Sequence, residues 1–388
     1  MKTVAIICEY NPLHLGHLRQ FAAIRQRFGE DARILCLMSG NYVQRGEPAI
    51  FDAETRAAAA VLSGADLVLE LPLTAAVASA EGFAMGAVEV LNALGAVDFL
   101  CFGCEFGDES SVMSTAKLLS TPEFAERLRQ GLSDGDSFAA LRQRTLEAMG
   151  GDGKLLCSPN DILAVEYGKA LLATGSTIAP MAIHRPGSYH AMAPDAQNPS
   201  ATALRALLPQ EGWLSYIPAQ ARELFAHAAI HRLSWGERAM LARLRAMRED
   251  EFEAMPYGAE GLWRKLMKES RRAACLEELM DAVKSRRYAR SRIARMVLCA
   301  FLGITADELS APAPYVRILA FDREGRAMLR QLDSRLPLLH AGQRAAGAYA
   351  ELEQRAASLY PLFLPPEALP RIPDRTRVFC VPAPTSAP

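Results

Sequence analysis

Near its N-terminus the chain switches repeatedly between short unbroken apolar runs and longer stretches whose apolar positions recur every three or four residues. The runs at residues 2–8, Arg33–Met38, Leu67–Leu71 and Phe99–Phe102 are too short for helices and end at turns rich in Gly, Pro, Asn or Ser, so they predict buried strands. Between them, Leu18, Phe21, Ala22 and Ile24 fit one face of a helix that stops near Gly29, and Ala53–Ser63 and Glu81–Leu94 predict two more helices. Continuous apolar strands separated by helices imply an α/β fold, a parallel sheet covered on both faces. Ligands of such sheets bind beyond the carboxyl ends of the strands. The polar turns after residues 8, 38, 71 and 102 are therefore expected along one edge, able to build one site.

From about residue 211 strand-like runs become rare, and Ala-, Arg-, Leu- and Glu-rich helical stretches such as 236–247, 260–270 and 291–301 take over. At 388 residues the chain exceeds the size at which one core stops growing. The expected division is a parallel-sheet domain over 1–210 and a mainly helical domain over 211–388, the latter ending in a Pro-rich tail from Leu364.

Half of the residues are hydrophobic and 22% are charged, the profile of a globular protein with sizeable cores. The first apolar run is too short for a signal peptide or a membrane span, which points to the cytosol. The 8 cysteines sit mostly inside apolar stretches and read as reduced, small hydrophobic residues; Cys101 and Cys104 form a CxxC without the further ligands a zinc site needs, so no protein metal site is expected. Net charge is −1, yet Lys284, Arg286, Arg287, Arg290, Arg292 and Arg295 cluster around Tyr288 with no carboxylate between them.

The sharpest chemical signal is Cys8-Glu9-Tyr10-Asn11-Pro12-Leu13-His14-Leu15-Gly16-His17, which joins the first strand to the first helix. Gly16 permits close backbone approach, and the opening turn of a helix offers free N–H groups to a phosphate. Two histidines three residues apart share a face there and could both donate to an anion, although helix caps or zinc ligands use the same residue types. A second element, Ser200-Ala201-Thr202-Ala203-Leu204-Arg205, combines a cap hydroxyl with a fork-shaped cation; alone it reads equally as an ordinary capped helix.

Together the two elements resemble the HxGH and SxTxxR signatures of the nucleotidyltransferase superfamily, which implies a nucleotidyltransferase-like, Rossmann-like sheet domain. The segments Ile7–Pro12, Met38–Ala49, Gly64–Pro72, Phe102–Glu105 and Ser158–Leu163 narrow the resemblance to the bacterial tRNA(Met) cytidine acetate ligase family. The resemblance is dense to about residue 210 and thinner afterwards. It implies that acetate attacks the α-phosphate of ATP, giving acetyl-adenylate, and that the acetyl group then passes to N4 of the wobble cytidine of elongator tRNA(Met). Catalytic roles then fall to His14, His17 and Arg205. ATP contacts carry over onto Ile7, Cys8, Glu9, Tyr10, Asn11, Pro12, Leu13, His14, Leu15, Gly16, His17, Leu18, Arg19 and Gln20, and onto Gly103, Asn160, Arg185, Ser200 and Thr202. Leu13, Leu15 and Cys104 stand where the family commonly has Phe, Asn and Ser; loss of the Asn removes an amide between the histidines. Magnesium is expected to arrive with the triphosphate.

Two regions carry paired readings. Ser39, Gly40, Asn41, Gln44 and Arg45 form either the pocket for acetate or the target base, or a solvated loop with a structural Arg–Glu pair. Lys284, Arg286, Arg287, Tyr288 and Arg290 read as a tRNA contact or as a wet helix face. Two rival functions also stay open: an adenylyl- or cytidylyltransferase acting on a small phosphorylated metabolite, and a catalytically silent RNA-binding protein.

Overall fold

A computed structural model describes residues 1–131, 138–185, 200–208, 210, 212–285 and 287–381. Ten strands are present among them: β1 (Thr3–Cys8), β2 (Arg33–Ser39), β3 (Tyr42–Val43), β4 (Glu47–Pro48), β5 (Leu67–Leu71), β6 (Phe99–Cys104), β7 (Ala179–His184), β8 (Val316–Phe321), β9 (Leu338–Leu339) and β10 (Phe379–Cys380). The main sheet has the order β10-β8-β5-β2-β1-β6-β7, with β9 beside β8, while β3 and β4 form a separate hairpin. All neighbours in the main sheet run parallel except β5 and β8, which are antiparallel.

Each central strand alternates its side chains between two cores. Ala5, Leu35, Leu37, Leu67 and Leu69 face one, with the helices Ala80–Leu94 and Pro159–Ala173; Val4, Ile6, Ile34, Cys36 and Val68 face the other, with Leu15–Phe28 and Ala53–Leu62. Burial on both faces explains why these strands read as unbroken apolar runs. Helix starts follow the cap chemistry of the sequence: Asp52 accepts the Thr55 N–H at 2.7 Å and Ser79 the Gly82 N–H at 3.2 Å, each such cap worth about 1 kcal/mol.

Chain order reverses at β1, which has β2 on one side and β6 on the other. That is the switch point, where a crevice opens beyond the strand ends. The turn after β1, the hairpin β3–β4 that follows β2, and Phe102 and Gly103 near the end of β6 line it, whereas Ser39, Gly40 and Asn41 at the end of β2 do not. The turn after β5 does not, because Leu73 is covered there and its N–H donates to the Tyr349 hydroxyl at 2.9 Å.

A third core joins the helices Leu233–Ala246, Leu262–Ser270, Leu276–Val283 and Arg290–Leu302 through Met240, Leu266, Leu279 and Leu298. Tyr42 and Val77 of the sheet side join this core, so the helices are packed onto the crevice. The chain then returns to the sheet through β8 and β10. Glu70 on β5 meets Arg375 at 2.6 Å, and Glu353 meets Arg317 at 3.1 Å and the Tyr315 hydroxyl at 2.6 Å, a buried ion network that fastens this return. Among the described residues no helix is long and apolar enough to cross a membrane.

Candidate active site

Beyond Cys8 the backbone turns sharply. Tyr10 adopts φ 44°, a left-handed conformation costly for a side chain with a Cβ, and its ring is held by burial and by an edge contact to His17 at 5.0 Å. His14 then caps the helix Leu15–Phe28. Its Nδ1 accepts the Gly16 N–H at 3.1 Å, while Nδ1 of His17 accepts the His14 N–H at 3.2 Å. A ring nitrogen that accepts carries no proton, so each neutral imidazole carries its proton on Nε2. Burial, with Arg185 and Arg205 nearby, pulls the His14 pKa down to about 3, and burial, His14 and Arg185 hold that of His17 well below its usual value. Both rings are therefore neutral donors at physiological pH rather than cations. They stack at 3.7 Å between centroids, and the buried Nε2 of His14 has no partner among the described residues.

Both rings line a cavity of about 900 Å³. Near them stand Arg185, which follows β7 and donates its N–H to Cys104 O at 2.8 Å, and Arg205, whose guanidinium donates to Asn11 O at 2.9 Å and Thr202 Oγ1 at 3.1 Å. Burial lowers both arginine pKa values, the mark of cations held partly out of water. Ser200 caps the helix Ala201–Leu207 through Ala203 N at 3.1 Å, and Asn160 donates to Glu105 Oε1 at 2.7 Å. Gly103 leaves the aliphatic part of Arg185 in ordinary contact distance of where a Cβ would stand, 3.8 Å. This pole offers two imidazole N–H groups and two guanidiniums around a helix start, a receptor for a polyphosphate.

The opposite pole is less polar. The hairpin β3–β4 and Ala80 face Leu276, Met280, Ala294 and Val297 of the helical part, with Glu277, Arg290 and Arg295 among them. Gly46, at φ 83°, lies against the backbone of Ala294 and Arg295, where a Cβ would come within 2.5 Å of backbone atoms. The hairpin thus has its position dictated by that helix. Glu9 connects the two poles: its carboxylate accepts the Gln44 N–H at 2.7 Å, and burial raises its pKa against the pull of Gln44 N–H, Arg205, Arg56 and Arg45.

The HIGH Nucleotidyl Transferase family model matches residues 1–372. A tRNA(Met) cytidine acetate ligase of Syntrophotalea carbinolica is 36% identical over 94% of this chain and 95% of its own, and that of Acetivibrio thermocellus is 33% identical over 87% and 88%. The chain belongs to the tRNA(Met) cytidine acetate ligase family. It is accordingly an enzyme of the ligase class on a nucleotidyltransferase fold. The crystal structure of Thermotoga maritima TmcAL bound with alpha-thio ATP superposes with a TM-score of 0.83 at 29% identity, covering 95% of this chain and 96% of that one.

Against the residues expected of this ligase family, the cavity brings together Ile7, Cys8, Glu9, Tyr10, Asn11, His14, Gly16, His17, Arg19, Gln20, Gly103, Asn160, Arg185, Ser200, Thr202 and Arg205. Pro12, Leu13, Leu15 and Leu18 are placed elsewhere; Leu13 is wholly buried and Leu18 packs on the core beneath the helix. Gln44 and Arg45 line the cavity, but Ser39, Gly40 and Asn41 do not. Ser39 is buried, a Cβ at Gly40 would collide with the Glu70 carboxylate, and Asn41 Oδ1 accepts the Ala53 N–H at 2.8 Å, so these three build the wall from behind.

The basic stretch is met by carboxylates from elsewhere in the chain. Arg286 lies outside the described residues. Arg287 and Tyr288 bind Glu260 at 2.8 and 2.7 Å, and Arg290 bridges Glu277 at 2.5 Å and Asp281 at 2.8 Å. Carboxylates remote in sequence thus answer cations that look uncompensated along the chain. Lys284 is exposed at the end of the helix Leu276–Val283.

Two supporting residues escaped the sequence reading. Arg56, fully buried, donates to Phe51 O at 2.9 Å, to Ser39 O at 3.1 Å, and to Glu9 O and Gly40 O, tying together the turns that leave β1 and β2. Asp161 accepts from Cys104 Sγ at 2.6 Å, Glu105 N at 2.9 Å and Ser158 Oγ at 2.8 Å, shaping the turn after β6; burial and then Asp161 push the Cys104 thiol up to about 12, so it stays protonated. Only its place in the family-like Ser158–Leu163 segment marked Asp161, and nothing marked Arg56.

Proposed function

We propose that this chain activates acetate with ATP and transfers the acetyl group to N4 of the wobble cytidine of elongator tRNA(Met), in the cytoplasm. The observation that carries this reading is the reciprocal capping of His14 and His17, which leaves two neutral Nε2–H donors at a cavity that Arg185 and Arg205 also line. A carboxylate oxygen of acetate attacks the α-phosphorus, and the bond from that phosphorus to the pyrophosphate oxygen breaks. Charge builds on the phosphate oxygens as it does so. Preorganised N–H donors stabilise such charge best when buried, at no cost of reorganisation. Arg205, anchored on Asn11 and Thr202, and Arg185 take the leaving pyrophosphate.

In the second half, the cytidine N4 attacks the acetyl carbonyl, the bond to the AMP oxygen breaks, and the amine loses a proton. Lys284, Arg286, Arg287, Tyr288 and Arg290 are the tRNA contacts in this reading, with Arg290 on the cavity itself. Among the described residues no group of three or more His, Cys, Asp or Glu is placed to hold a metal ion. Magnesium in this reading enters with the phosphates as part of the ATP substrate. The relatives' shared name supports acetate and tRNA(Met) over a phosphorylated metabolite. Mass spectrometry of tRNA(Met) nucleosides after incubation with the protein, ATP and acetate tests the whole sequence: N4-acetylcytidine is expected, and unmodified cytidine would refute it.

A further inference from the structure

Among the described residues of the basic stretch, Arg295 is the cation that is buried. Only 8% of it is exposed, and it lines the cavity at the pole opposite the histidines. Its one hydrogen bond to a carbonyl runs from Nη1 to Gln44 O and is long, 3.4 Å; Nε is buried without a partner, and no carboxylate lies in ion-pair range among the described residues. The Tyr257 ring lies 5.4 Å from the guanidinium carbon and holds one side of it, and the Tyr257 hydroxyl, a neutral partner, interacts with it as well. Arg287 and Arg290, by contrast, each have carboxylates. A desolvated guanidinium is costly unless carbonyls or an anion satisfy it, as four carbonyls do for Arg56, and Arg295 has no such set among the described residues.

We propose that Arg295 binds the carboxylate of the acid substrate; this rests on the acyl-adenylate reading above and deepens it. Three anions reach this enzyme in that reading: the triphosphate, the RNA backbone and a short carboxylate. The triphosphate has its own cations at the other pole. An RNA phosphate needs an exposed cation, and Arg295 is enclosed. A small carboxylate suits both the planar fork of the guanidinium and the surrounding wall, where Val43, Ala80, Ala294 and Val297 offer an apolar surface to a methyl group. Gln44 connects this place to the reaction centre: its carbonyl accepts from Arg295 while its N–H donates to Glu9, which directly follows β1 and feels Arg205. A longer acid would run into the hairpin, whose distance from the helix is fixed by Gly46.

The test is acetate-dependent exchange of labelled pyrophosphate into ATP, measured for the full chain and for Arg295→Gln and Arg295→Lys, with melting temperatures recorded alongside. Losing a charge-assisted pair should raise the KM for acetate about 10- to 100-fold. KM for ATP and the Kd for tRNA should stay within about threefold, well under the size of a lost pair. A folded Arg295→Gln chain with unchanged KM for acetate overturns the proposal, as does a loss that falls on ATP or on tRNA instead. Absence of acetate-dependent exchange in the unmodified chain would instead strike the acyl-adenylate reading itself. Should neither variant fold, crystals of the unmodified chain soaked with acetate and a non-hydrolysable ATP analogue decide: acetate density with its carboxylate on Arg295 and its methyl beside Val43 and Val297 supports the assignment, and acetate elsewhere in the cavity refutes it.

Discussion

His14 and His17 each hold the other's surroundings in place: the backbone N–H of His14 donates to the His17 ring, and the two imidazoles stack at 3.7 Å. Capping and the proposed chemistry thereby fall to opposite nitrogens of the same rings. Nδ1 completes the helix start, which leaves Nε2 as the donor each ring has to offer at the cavity that both line.

Replacing either ring by alanine should separate these roles. His14→Ala and His17→Ala are expected to lower adenylate formation by at least about 100-fold, the usual cost of an oxyanion donor, with a loss of about 1 kcal/mol in stability from the missing cap. Affinity for tRNA should be nearly intact. Pyrophosphate exchange, denaturant unfolding and a binding titration check the three parts.

Protonation should act in one direction only. The folded chain holds His14 near a pKa of about 3, below the free imidazole value, so between that value and the ordinary range the unfolded chain binds more protons. Stability from this site is thus complete above the ordinary imidazole pKa and declines as pH falls toward 3. Thermal melts from neutral to acidic pH should show that decline, and His14→Gln should flatten it. Exchange activity should likewise show no requirement for an imidazolium: the rate should not rise as pH is lowered through the usual histidine range.

Arg56 is expected to act through the turns it ties together. Arg56→Ala leaves four carbonyls without their donor and should cost about 3 kcal/mol or more. Arg56→Lys should restore most of the melting temperature yet keep kcat for exchange at least about tenfold down, because a point charge cannot serve four acceptors in a plane. Equal kcat in the Lys variant would reduce Arg56 to a purely stabilising part.

The basic stretch makes a salt-dependent prediction. Lys284→Ala with Arg287→Ala should weaken tRNA binding and lower the slope of log K against log salt by about 1 for each RNA phosphate that is no longer neutralised. An unchanged slope would leave these side chains to their partners such as Glu260.

Legibility in the sequence followed range of interaction. The runs at Thr3–Cys8 and Leu67–Leu71 were readable because a strand buried on both faces needs nothing but its own residues to declare itself. The histidine pair was readable because both its partners lie within three residues. Strand β8 was not: Val316–Phe321 contains Arg317, and that charge is tolerated only because Glu353, 36 residues away, meets it. Arg56 looked like any helix charge, since the carbonyls it binds come from turns up to 47 residues distant. Separations of 27 and 13 residues likewise hid Glu260 and Glu277 from the reading of Arg287 and Arg290.

The most direct measurement is the transfer of label from pyrophosphate into ATP by the purified chain, with and without acetate and before any tRNA is added. The account predicts exchange that requires acetate and disappears in His17→Ala. Exchange that ignores acetate, or that needs a phosphorylated cosubstrate in its place, would contradict it.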